Sequence, residues 1–185
     1  MRASQPALLA AGRVIVESRD AIVAEWTERL GDRLTAARTI PRSLVEREFR
    51  LLLDLMAHQA GPLRREVRPI WQRASEHHGR TASARGLAAG EVVEELLHLR
   101  DIMTRYLAPV VAAMRARQGM AILLRLNRVL DYGVAASVVG YTDALVATLM
   151  GSNGVPGEDG KGDAEDVERQ LGLLEAELEQ LVGTR

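Results

Sequence analysis

An all-α fold, a single helical bundle followed by a separate C-terminal helix, is what three observations predict. Apolar residues recur at roughly 100° per residue along the chain, and no stretch alternates with the period of two that a strand needs. At 185 residues, 47% hydrophobic and 26% charged, the chain is long enough for one well-buried core. A glycine-rich run at 151–163, GSNGVPGEDGKGD, then reads as a flexible linker between the bundle (1–150) and a tail (164–185).

The first segment places Leu8, Ala11, Ile15, Ser18, Ile22, Trp26 and Leu30 on one face, which predicts one long amphipathic helix ending before Pro41. Ser43, with Glu46 three residues on, has capping-box spacing and opens a helix carrying Leu44, Leu51, Leu52 and Leu55. That helix stops near Gly61 and Pro62. Between 62 and 86 the pattern supports a short helix containing Trp71, with Pro69 at its first position and Gly79 or Gly86 at its end. The central helix spans about 88–118, kinked at Pro109. Its apolar arc holds Val92, Val93, Leu96, Leu97, Leu99, Met103 and Leu107, and Arg100 points into that arc. From Gly119 a second long helix turns Ile122, Leu126, Val129, Leu130, Gly133, Val134, Ser137, Val138, Tyr141 and Leu145 inward. Its small residues Gly133, Ser137 and Gly140 permit close helix approach at a cost of about 1 kcal/mol per glycine.

In the tail Val167, Leu171, Leu174, Leu178 and Leu181 repeat as a heptad seam. Glu168, Glu175 and Glu177 flank it with no basic complement inside the tail. Two readings stay open: a partner-binding coiled coil, or a helix folded back on its own core.

A net charge of −1 supplies no global field toward nucleic acid or an anionic surface. Lys161 is the only lysine, so arginine carries nearly all positive charge. The densest basic region, Arg64, Arg65, Arg68, Arg73, Arg80 and Arg85, lacks a recognition-helix pattern and reads as a solvated surface. The absence of cysteine excludes disulfides and thiolate chemistry. Charges interrupt the N-terminal apolar pattern, unlike a signal peptide, and no uninterrupted apolar run of about 18 residues exists. A cytoplasmic protein without membrane insertion is expected.

Catalytic motifs are missing: no phosphate loop, no nucleophile elbow, no serine–histidine–acid pattern. The four histidines, His58, His77, His78 and His98, lack the spacing of a metal site, so no metal and no cofactor are expected. Few aromatic residues are present to line a haem pocket. His98 lies opposite the apolar arc, four residues after Glu94, as a surface pair would. Its local string HLRD is similar to a phosphoacceptor helix, which leaves phosphotransfer, or a cofactor- or metal-binding bundle, as the alternative to a non-catalytic role.

Three ionisable residues fall on apolar faces: Arg100, Glu48 and Arg19. An isolated buried charge costs several kcal/mol, so Glu48 is expected to pair with Arg100 or Arg19. The slim helix supplies candidate dimer contacts in Gly133, Val134, Ser137, Val138, Tyr141 and Leu145, and the same residues could instead pack within the chain.

Trp26, the Arg85–Gly86 step, the run EVVEELLHLRDIM and Tyr141 together resemble the RsbRD-type N-terminal domain of RsbT co-antagonist proteins, a domain type that also precedes some sensor histidine kinases. The similarity covers about 7–150 and centres on Leu99, Arg100 and Asp101. It implies a sensory, globin-like dimeric domain without haem, coupled to a STAS-domain or kinase output and to stress signalling. Only the heptad tail follows the linker here, so the expectation is either a fragment of a longer protein or an output partner in trans.

Overall fold

Seven helices and no strand make up the regular structure in the described residues, 3–31, 40–61, 63–151 and 160–183, of this computed structural model. They are α1 (Gln5–Glu17), α2 (Arg19–Leu30), α3 (Arg42–Ala60), α4 (Arg64–Ala84), α5 (Ala89–Ala112), α6 (Ala116–Gly151) and α7 (Gly160–Gly183). The bundle is built around α4, which packs against α6, α3 and α7; α5 lies on α6 and on the α1–α2 pair.

Several predicted boundaries move. The long first helix is two helices, because Ser18 leaves helical geometry at φ −99° and ψ 5°. Ser43 is no cap: Pro41 holds that position, and Glu46 accepts from Arg42 Nε at 2.8 Å. Pro69 lies inside α4, not at its start, and Gly79 does not end the helix. Burial of Val67, Ile70, Trp71 and Ala74 carries the helix through both. It ends at Gly86, whose φ of 78° suits glycine. There the Gly86 N–H bonds to Ser83 and the Leu87 N–H to Ala82, the paired bonds of a Schellman cap. Pro109 falls in the last turn of α5, and the helix stops at Ala112.

Two further corrections bear on function. Helix α7 begins at Gly160, so the end of the expected linker is helical; 152–159 lie outside the described residues. Val167, Leu171, Leu174 and Leu178 are buried in the main core and Leu181 packs on its edge, so the seam folds back and is not a free partner-binding surface. Its acids find their complement elsewhere in the chain: Glu175 accepts from Arg47 Nε at 2.8 Å and Glu177 from Arg73 Nη2 at 2.6 Å.

The slim face of α6 is also consumed internally. A Cβ on Gly140 would overlap the Glu76 carbonyl, and one on Gly79 would overlap the Ser137 carbonyl, so α4 and α6 touch backbone to backbone. Ser137 Oγ donates to the Ser75 carbonyl at 2.9 Å, and Gly133 sits against Trp71. Val134 packs on the core and Tyr141 on Ala82, Leu87 and Val92. Gly133 and Ser137 are thus buried within the chain, while Val134, Val138 and Tyr141 are half-buried and Leu145 points outward, 42% exposed.

Candidate functional site

Three helices converge on a buried ionisable group. His78 and Thr81 on α4 and Arg85 at its C-cap recur at intervals of three and four with helical backbone throughout, so one face carries all three, with His77 beside them. Helix α3 contributes Glu48 and α5 contributes Glu95. All six are buried.

Arg85 grips Glu95 in a bidentate pair, Nη1 to Oε1 at 2.8 Å and Nη2 to Oε2 at 2.6 Å. His78 lies between the carboxylates, Nε2 3.3 Å from Glu95 and Nδ1 3.5 Å from Glu48. His77 Nε2 stands 3.7 Å from Glu48, and the Thr81 hydroxyl donates to Glu48 at 3.1 Å. The Trp26 indole N–H donates to the Glu95 carbonyl at 2.9 Å, and its ring stacks on Phe49 at 3.6 Å, roofing the group with aromatic surface.

The charges balance. Burial alone would depress His78, but the carboxylates of Glu48 and Glu95 raise it to about 9. Burial would raise Glu95, yet His78 and Arg85 bring it down to about 2. Glu48 likewise ends below the usual carboxylate range: burial is outweighed by His78, His77 and Arg85. Burial lowers His77 and keeps it neutral. Two anions, Glu48 and Glu95, therefore face two cations, Arg85 and protonated His78, and the buried group is neutral as a whole.

Of the expected polar anchors only Glu48 is buried, and its partners are His77, His78 and Thr81. Arg100 is not a core anchor; its side chain is 29% exposed and pairs with Asp131 of α6. Val93 is only half-buried and Leu97 is exposed beside it, because α5 buries Val92, Glu95, Leu96, Leu99, Ile102, Met103 and Leu107 instead. Arg19 pairs with Asp54 at 2.8 Å at the edge of the core, away from Glu48. His98 is half-buried on α5 and forms no part of the group. Among the described residues no cluster of three or more histidines and acids can hold a metal ion.

The second feature is open to solvent. A groove of about 1180 Å³ runs between the outer sides of α4 and α6. Arg64, Arg65 and Arg68 line it from α4 and Arg125 and Arg128 from α6, with Glu76 the one acidic residue in its lining. Arg68 lies over the Tyr132 ring, 5.4 Å from its centroid, and Arg125 donates to the Gln59 carbonyl at 2.9 Å. Partial burial, then repulsion from Arg64, lowers the Arg125 pKa. The predicted basic region thus splits four ways: Arg85 is in the core, Arg73 binds α7, Arg80 is half-buried on α4, and Arg64, Arg65 and Arg68 line the groove.

Past the groove, the end of α6 leaves Leu145, Val146, Leu149 and Met150 exposed. By length and composition 116–150 is apolar enough to cross a bilayer, although no uninterrupted apolar run marks it, and most of its apolar window is unburied.

No family model, curated protein or solved structure matches the chain.

Proposed function

We propose that this chain is a non-catalytic helical regulatory module that works by docking: two copies pair through the projecting end of α6, and a partner protein receives the signal. The observation that carries the reading is the apolar end of α6, where Leu145, Val146, Leu149 and Met150 stand exposed together. Ten helical residues span about 15 Å, enough for two such ends to cross and bury their apolar sides. Exposed apolar clusters of this kind mark interaction sites. The strongly shifted ionisable residues lie sealed under Trp26 and Phe49, away from the groove lining, which suits a structural task better than acid–base chemistry on a substrate.

A globin-like, haem-free sensory module with a STAS-domain or kinase partner, as the resemblance to RsbRD-type domains implies, is the specific form of this reading. Light scattering at tens of micromolar tests the pairing. The full chain is expected at twice its 20.3 kDa mass, and Leu149→Glu with Met150→Glu at the single mass. A wild-type chain of single mass overturns the dimer. Co-flotation of the wild type with lipid vesicles, lost in the same variant, would reassign the α6 end to a membrane.

A further inference from the structure

The groove between α4 and α6 gathers five arginines in one place. Many arginines elsewhere are matched to acids, such as Arg19 to Asp54, Arg50 to Asp20, Arg73 to Glu177 and Arg105 to Glu25; Arg13, Arg80, Arg115 and Arg117 are not matched among the described residues, but none of them lines the groove. Among the described residues no carboxylate pairs with Arg64, Arg65, Arg68, Arg125 or Arg128, although the chain as a whole is slightly acidic. Two of the five, Arg64 and Arg125, are near enough to repel. An anionic occupant would relieve that repulsion.

Charge is only half of the pattern. Along the groove α6 exposes Leu124 at 45%, Tyr132 at 62% and Val139 at 52%, spaced eight and seven residues apart. Two-turn spacing on one helix is the footprint of a second helix laid alongside, with apolar knobs on the seam and charges flanking it. A phosphate or a polyanionic strand would use the arginines and leave this seam unused.

The chain itself carries an example of the complementary element. Helix α7 presents a heptad seam flanked by glutamates, and it seats on α3 and α4 with Glu175 on Arg47 and Glu177 on Arg73. Its apolar seam is already used there. A second α6 is also a poor occupant, because pairing along this half would set Arg125 and Arg128 against their own copies.

From this juxtaposition of unpaired arginines and an apolar seam at two-turn spacing, we infer that the α4–α6 groove binds an acidic, heptad-patterned amphipathic helix of a partner protein. The inference rests on the reading of the chain as a docking module and names the class of partner; it does not require the α6 dimer.

The test uses the full chain and fluorescence anisotropy with a labelled synthetic peptide of about three heptads, leucines on the seam and glutamates beside it, against a twin with lysines for glutamates. The glutamate peptide binds and the lysine peptide does not. Arg64→Glu with Arg128→Glu weakens the glutamate peptide about tenfold or more and gains affinity for the lysine twin, which a misfolded chain could not do. Leu124→Ser with Val139→Ser also weakens it. Arg73→Glu, on the α7 side, leaves it unchanged. No binding of the glutamate peptide, or equal binding of both peptides, overturns the proposal. So does binding that Arg73→Glu abolishes and the groove variants do not, because the peptide is then displacing α7. Tighter binding of heparin or anionic vesicles at the same arginines reassigns the groove to a polyanion or a lipid surface and overturns it as well. A single-mass chain in light scattering that still binds the peptide separates failure of the dimer from failure of this inference.

Discussion

Helix α4 has two flanks built from the same materials, arginine and apolar carbon, and they differ in what completes them. On the α3 side α7 buries Val167, Leu171, Leu174 and Leu178, while its glutamates cap Arg47 and Arg73. On the α6 side Arg64, Arg65, Arg68, Arg125 and Arg128 ring a groove, and none of the five is ion-paired to a carboxylate among the described residues. An arginine surface alone is therefore ambiguous: supplied with an acidic seam it is architecture, and without one it is the site proposed above for a partner helix.

The comparison depends on α4 being a fixed rail, and the most damaging change should be one that dislodges it. Glu95→Gln leaves Arg85 and His78 charged in the core without their anion, and a loss of about 4 kcal/mol is expected in denaturant unfolding. A loss within about 0.5 kcal/mol would mean that the buried group is not held by charge. Gly140→Ala should cost about 3 kcal/mol, because its Cβ meets backbone and not a side chain that can move aside. Crystals of that variant should reveal α4 and α6 spread apart and the groove widened.

The pH dependence isolates the rail's inner face. His78 at about 9 is above its unfolded value near 6.5, so its contribution is full below pH 6.5 and fades as pH rises to 9. Glu95 at about 2 acts in the other direction, present above pH 4.5 and lost as pH falls toward 2. Neutral His77 opposes folding when pH drops below 6.5. Stability should thus decline by about 2 kcal/mol between pH 6.5 and 9, and His78→Asn should flatten that limb. A wild-type chain equally stable at both ends of that range would show that His78 is neutral in the core.

The smallest effect compares the flanks directly. Arg47→Ala should cost up to about 1 kcal/mol, since its pair with Glu175 is partly exposed, and less in high salt. Arg64→Ala, on the vacant flank, should cost nothing or stabilise slightly by relieving Arg125. Matching losses from the two would erase the distinction between a completed flank and an open one.

Periodicity carried the all-helical fold because it is a property of each segment alone. It did not carry which helix is central. Segment 62–86 has weak hydrophobic signal, two potential breakers in Pro69 and Gly79, and a basic composition, yet it forms the hub. Gly79 is tolerated there because a second backbone lies against it, and that fact belongs to the pair of helices and not to either sequence. The heptad of α7 was legible, but its partner was not, since Arg47 and Arg73 are about a hundred residues away. Arg100 falls on the apolar arc of α5 only when Glu95 is left off it; with Glu95 buried beside Val92 and Leu99, the arc turns and Arg100 moves to its edge. Spacing along one helix cannot show what the histidine pair meets, because its partners, Glu48 and Glu95, come from two other helices.

Backbone contact at Gly79 and Gly140 also has a kinetic side. Amides along the middle of α4 and α6 should exchange with solvent deuterium as one slow unit, because neither helix can open while the other stays closed against it. Faster exchange is then left to α7, which is held by one seam and a few exposed ion pairs, and to the last turns of α6. The parts free to breathe are the two that adjoin a vacant or exchangeable surface, so a partner can be gained or lost without the core being disturbed.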